Sequence, residues 1–266
     1  MTGTKLPLHQ IKHAFATTLA LVSLVSYPAS VLAQPVASTS NSSDKVPISF
    51  NQQAEDGSSR GRPSRREGTG SRGDCPPVEI PLTALVPAGN VGLTLEKHPT
   101  FWFYVPYSPG DTASGEFVLQ DEANNDVYRT SLTLSREPGV VSFSLPSATP
   151  LEMNKTYQWY FKLYCRETMN RASIKSSTPV FVRGWVKRMP LLPDLERLLK
   201  AATTPRERIA LYAQNGIWHE AVTELAKLRL TEPQNATLNS DWATLLSDVG
   251  LEKVTGEPII GSVRDN

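Results

Sequence analysis

Tyr157-Gln158-Trp159-Tyr160-Phe161-Lys162-Leu163-Tyr164-Cys165 alternates strictly. Tyr157, Trp159, Phe161, Leu163 and Cys165 share one face; Gln158, Tyr160, Lys162 and Tyr164 share the other. A period of two marks a strand with one buried face. Four apolar side chains and a thiol on that face demand a second layer to cover them.

Working outward from this strand, short apolar runs alternate with turn residues between Cys75 and Pro190. Val78 to Val86 carries Pro81 and is flanked by Pro76, Pro77 and Pro87, which suits an edge strand or arm. After Pro99, Phe101, Phe103 and Val105 alternate with Trp102 and Tyr104. Glu116 to Asp121 reads as the next strand. Asn124-Asn125-Asp126 reads as a hairpin turn, because Asn and Asp tolerate positive φ. Val127 to Leu134 returns, Glu137-Pro138-Gly139 turns, and Val141, Phe143 and Leu145 mark a half-buried strand. Val180 to Val186 is the last. About seven strands at roughly 8–15-residue spacing, without intervening helices, predict an antiparallel β-sandwich of immunoglobulin or fibronectin-III type.

Beyond Pro190 the period becomes helical, so the fold class is α+β and mainly β. Leu195, Leu198 and Leu199 share a face. Thr204-Pro205-Arg206-Glu207 is a capping box with Pro at the first helical position. Gly216 ends that helix. Ile217, Ala221, Leu225 and Leu228 define the next, which Pro233 stops. Asn239 or Ser240 is read as the cap of a final helix that Gly250 ends. Residues 202–235 resemble one tetratricopeptide repeat, with Tyr212, Gly216, Trp218, Ala221, Leu225 and Pro233 at its packing positions. A lone repeat cannot bury its own apolar face, so the pair must lean on the sandwich or on a partner.

The first 33 residues read as a secretory signal peptide: Lys5 and Lys12, an apolar run from Ala14 to Val25, and Val31-Leu32-Ala33 before a cleavage after Ala33. The run is too short and too interrupted by Ser and Thr for a membrane span. Removing Lys5 and Lys12 from the 27 basic side chains leaves 25 against 26 acidic ones. That balance argues against nucleic acid as a partner. Cys75 and Cys165 are the only two cysteines. In an oxidising compartment the pair reads as a disulfide, with two buried thiols as the alternative.

Chemistry-bearing patterns are sparse. Only His98 and His219 follow the leader, in different modules, with His219 on the polar side of its helix. No P-loop, H-E-x-x-H or C-x-x-C is present, and neither metal, cofactor nor catalytic residues are expected. The outer-face aromatics Trp102, Tyr104, Tyr160 and Tyr164 are the candidate binding residues, if the helices leave them open. Glu116 and Asp121 are the carboxylates a hydrolase reading would use.

Gly70-Ser71-Arg72-Gly73-Asp74-Cys75, P-T-F-W-F-Y-V-P-Y, E-F-V-L-Q-D-E, the Tyr157–Cys165 stretch and L-Y-A-Q-N-G-I-W-H-E-A-V-T-E-L together resemble domain of unknown function family 928, exported proteins of cyanobacteria. The resemblance implies a periplasmic or secreted setting and brings no activity and no catalytic residues.

The domain reading is therefore a signal peptide over 1–33, a disordered Arg/Ser/Gly-rich linker over 34–74, a sandwich over 75–190, a helical segment over 191–252 and a frayed tail over 253–266. The function read from it is a non-enzymatic envelope protein that binds a protein or an envelope glycan, without a membrane span in the mature chain.

Overall fold

The computed structural model describes residues 48–51, 65–68, 75–89, 91–108, 110–134, 137–166 and 178–265. The expected signal peptide and most of the expected linker over 34–74 lie outside them. All described residues belong to one compact unit, Asn41–Asn266.

Ten strands and four helices follow in chain order among the described residues: β1 (Thr83–Ala84), β2 (Val91–Thr94), β3 (Thr100–Val105), β4 (Thr112–Gln120), β5 (Asp126–Thr133), β6 (Gly139–Ser144), β7 (Thr156–Cys165), β8 (Val180–Arg188), α1 (Pro193–Ala201), α2 (Pro205–Gln214), α3 (Trp218–Thr231), α4 (Ala236–Ser247), β9 (Ile259–Ser262) and β10 (Arg264–Asp265). One sheet has the order β1-β3-β6-β9, the other β10-β5-β4-β7-β8-β2.

The inner face of β7 does what its period implies. Trp159, Phe161 and Leu163 are fully buried. Two of them meet the opposite sheet through rings: Phe103 stacks on Phe161 at 4.1 Å and meets Trp159 edge-on at 5.6 Å. Cys75 and Cys165 are joined by a disulfide inside this core. The bond ties the chain ahead of β1 to the end of β7.

The sheets are not wholly antiparallel as expected. β2 runs parallel to β8, and β6 runs parallel to β9. Both parallel partners are four-residue edge strands, too short to show a period in sequence. The tail expected to fray instead closes the structure. β9 lies on β6, Val263 is buried in the core, and β10 pairs antiparallel with β5. One short run thus spans from the edge of one sheet to the edge of the other.

β3 is buried on both faces. Phe101, Phe103 and Val105 enter the core between the sheets; Trp102 and Tyr104 enter a second core with the helices. The helices form where their signals stand. Thr204 makes the reciprocal capping box with Glu207, and Gly216 takes φ +71° after α2. The last helix is capped four or five residues earlier than read, because Asn235 rather than Asn239 or Ser240 accepts from the Thr237 and Leu238 amides. Arg206 on α2 makes a paired bond to Asp241 on α4, at 2.7 and 2.8 Å.

Two pieces of the expected linker belong to the fold. Arg65 bridges Arg183 and Glu67 bridges Thr83. The Arg66 guanidinium donates to the carbonyls of Val249 and Gly250, both at 2.6 Å, just past the end of α4. A cation there meets the negative end of the helix dipole. Ile48 and Phe50 lie in the helical core.

Candidate functional site

The turn of α3 nearest its N-terminus is where helix meets sheet. Trp218 Nε1 donates to the Leu85 carbonyl at 2.8 Å. His219 Nδ1 lies 2.9 Å from the Thr100 carbonyl, which only accepts, so that nitrogen carries the proton. Glu220 Oε1 accepts from Thr94 Oγ1 and the Leu95 amide at 2.7 Å and from the Glu96 amide at 3.0 Å. Trp102 Nε1 donates to Thr223 Oγ1 at 2.9 Å. Four polar side chains on one helix thus satisfy sheet groups that helix coverage would otherwise strand.

His219 is therefore not on a solvated face, as its helix pattern implied; it is buried between α3, β2 and β3. Gly92 allows this approach, because a Cβ there would stand 2.4 Å from His219 Nε2. A cavity of about 220 Å³ opens beside the pair, lined by Thr94, Glu96, His98, Thr100, Glu224 and Lys227 among others. Glu220 Oε2 and His219 Nε2 are buried and meet no protein hydrogen-bond partner. Burial pushes Glu220 up to about 7 and His219 down to about 4, so both favour their neutral forms.

These shifts act in opposite directions on stability. Glu220 holds more protons folded than unfolded, so its contribution is full below about pH 4.5 and lost as pH rises to about 7. His219 contributes above about pH 6.5 and loses that as pH falls through about 4. Across the shared window the two slopes cancel. In Glu220→Gln the His219 slope stands alone. The difference in unfolding free energy between Glu220→Gln and the unmodified chain should shift by about 3 kcal/mol between pH 4.5 and 7. Urea titrations at several pH values measure it; a difference that stays constant with pH contradicts the assignment.

The second region is the outer face of the six-stranded sheet. Glu116 on β4 lies opposite Lys162 on β7. Its carboxylate accepts from Arg129, from Lys162 Nζ at 3.2 Å and from Tyr164 Oη at 3.0 Å. Burial first, and the Arg129 charge second, hold Lys162 below the usual lysine range. Tyr160 donates to Gln158 Oε1 at 3.0 Å and lies 6.2 Å from the Phe181 ring. Arg65 sits over Phe181 at 4.6 Å. The result is a surface of half-buried aromatics laced with paired charge.

The candidate aromatics are not brought together. Trp102 and Tyr104 are 4 % and 7 % exposed beneath the helices, while Tyr160 and Tyr164 lie on the outside of the opposite sheet. Glu116 and Asp121 do not converge either. Asp121 closes its own turn, accepting from the Ala123 and Asn125 amides and from Asn125 Nδ2. Those Asn125 bonds hold its carboxyl below the usual range. Among the described residues no group of three or more His, Cys, Asp or Glu is placed to hold a metal, and no helix is long and apolar enough to cross a membrane.

Sequence reasoning missed Glu220 and His219. The available signal was W-H-E-A-V-T, which puts polar groups beside Trp218 on a helix that must lean on a sheet.

Fold and surface together define a two-sheet β protein whose helices pack on β3 of one sheet and on edge strand β2 of the other, with Tyr160, Lys162, Tyr164 and Phe181 half-buried on the outer face of the six-stranded sheet. The chain belongs to the family described as Domain of Unknown Function (DUF928), which matches residues 67–259, well over half its length. No curated protein matches it.

Proposed function

We propose that the protein is a non-catalytic interaction module of the cell envelope, exported through its leader, and that the outer face of the six-stranded sheet receives a protein partner. One observation carries the reading. The helices pack on β2 and β3, and the half-buried set Tyr160, Lys162, Tyr164 and Phe181 lies on the far side. Half-buried tyrosines beside paired charge fit the anatomy of protein recognition. A glycan reading keeps only Tyr160 and Tyr164 of the four aromatics.

Deleting residues 191–266 is a poor probe, because it removes β9, β10 and the α3 ties together with the helices. A photoactivatable residue at Ser131, exposed on this face, is the cleaner one, with Lys200 on α1 as control. In envelope extract, position 131 is expected to give a discrete protein adduct that Tyr160→Ser/Tyr164→Ser abolishes. Identical adducts from both positions, or one indifferent to the double substitution, would reject the proposal. Intrinsic fluorescence on titrating envelope polysaccharide separates the glycan alternative.

A further inference from the structure

Ile48–Asn51 is a four-residue stretch without regular secondary structure, seated among helices, with Ile48 and Phe50 buried and Ser49 between them exposed. Ile48 is 0 % and Phe50 9 % exposed. The Phe50 ring meets Trp218 edge-on at 5.0 Å. The Phe50 amide donates to Asp248 Oδ2 at 2.7 Å, and the Asn51 amide donates to the Ala213 carbonyl at 3.0 Å. Two alternate side chains fill an apolar slot while two backbone amides bond the ends of α2 and α4. That is how a groove recognises an extended peptide.

The groove and its occupant have different standing. Trp218, Ala213 and Asp248 fall within the family match, residues 67–259. Ile48–Asn51 falls outside it. The neighbouring chain from 52 to 64 is Ser-, Gly- and Arg-rich and short of apolar side chains. Sequences of that composition are used as tethers between ordered parts.

We propose that the slot between α2, α3 and the end of α4 is a peptide-docking site, that Ile48–Asn51 occupies it as a displaceable intramolecular plug, and that its partner is another protein's extended segment with an apolar residue and an aromatic residue two apart. Tethering places the plug at millimolar effective concentration, so a free peptide competes poorly until the tether is cut or the plug weakened. This surface is separate from the open sheet face, so the failure of either reading leaves the other standing.

The test uses the full chain with a site-specific protease sequence placed within residues 53–64. The cut lies ahead of Cys75, so the disulfide does not retain the leader. The probe is a fluorescent peptide of residues 46–52. After cleavage, the chain is expected to keep its helical circular dichroism and to bind the probe at least about tenfold more tightly than the intact chain does. A probe with Phe50→Ala is expected not to bind. Ile48→Ala/Phe50→Ala in the uncut chain should reproduce the cleaved behaviour. A leader fragment that does not exchange with excess probe overturns the proposal. So does loss of helical signal on displacement or in the double variant, because the segment is then part of the core.

Discussion

Replacing both Cys75 and Cys165 by alanine is expected to lower the unfolding free energy by about 4 kcal/mol. The bond spans 90 residues, and the loop it closes contains β1 to β7 almost entire. Closing so long a loop in the unfolded chain removes conformational entropy that an uncrosslinked chain retains. Both sulfurs lie in the core between the sheets, so alanine also leaves a small void at the end of β7. Urea unfolding of the oxidised chain against Cys75→Ala/Cys165→Ala measures the loss. A difference under about 1 kcal/mol would mean that the unfolded chain already holds these ends together, against the entropic account. Thiol labelling of the native oxidised chain without reductant should find nothing to modify.

Trp218→Ala is expected to cost a comparable amount, about 4 kcal/mol, for a different reason. The ring is fully buried at the first position of α3. Its removal leaves a cavity between helix and sheet, strips Phe50 of its edge-on neighbour and strands the buried Leu85 carbonyl. Trp218→Phe separates these effects. Phenylalanine keeps most of the apolar contact but carries no donor, so only the unpaired carbonyl and a smaller void remain, about 1–3 kcal/mol. Equal losses for the two substitutions would show that packing contributes little here, and that the hydrogen bond to Leu85 dominates. If neither lowers stability, α3 is not held to the sheet through this residue.

The strand that organises the fold was legible because its two faces differ so sharply. Trp159, Phe161 and Leu163 against Gln158, Lys162 and Tyr164 leave one inward orientation. The cysteine pair was read as a disulfide from its number and the expected export, with two buried thiols as the alternative, and the structure contains the disulfide. β3 was harder. Phe101, Trp102, Phe103 and Tyr104 form a continuous apolar run, whose second face reads either as an open binding surface or as one packed under the C-terminal helices. The run records burial on both sides, as strands sandwiched between two layers do. Trp102 and Tyr104 are therefore core residues of the helical cover, and the candidate site contracts to Tyr160 and Tyr164.

His219 and Glu220 escaped because helical periodicity is read from apolar residues. A polar side chain that satisfies a sheet carbonyl or amide looks like one that faces water. β2, β9 and β10 escaped for want of length: two to four residues carry no measurable period, and their pairing is decided by what the rest of the fold leaves unpaired. Ile48-Ser49-Phe50 did show alternation, but a strand-like trio inside a Ser- and Gly-rich leader has no partner in the sequence around it. Its partners are Trp218, Ala213 and Asp248, which lie far along the chain.

Helices and sheets share β3 as a common wall and fold as one body. Urea unfolding followed together by far-ultraviolet ellipticity at the helical minimum and by tryptophan fluorescence tests it most directly. The account predicts two superimposable transitions with a single midpoint and slope. A helical signal that melts ahead of the fluorescence change, with the sheets still folded, would contradict it.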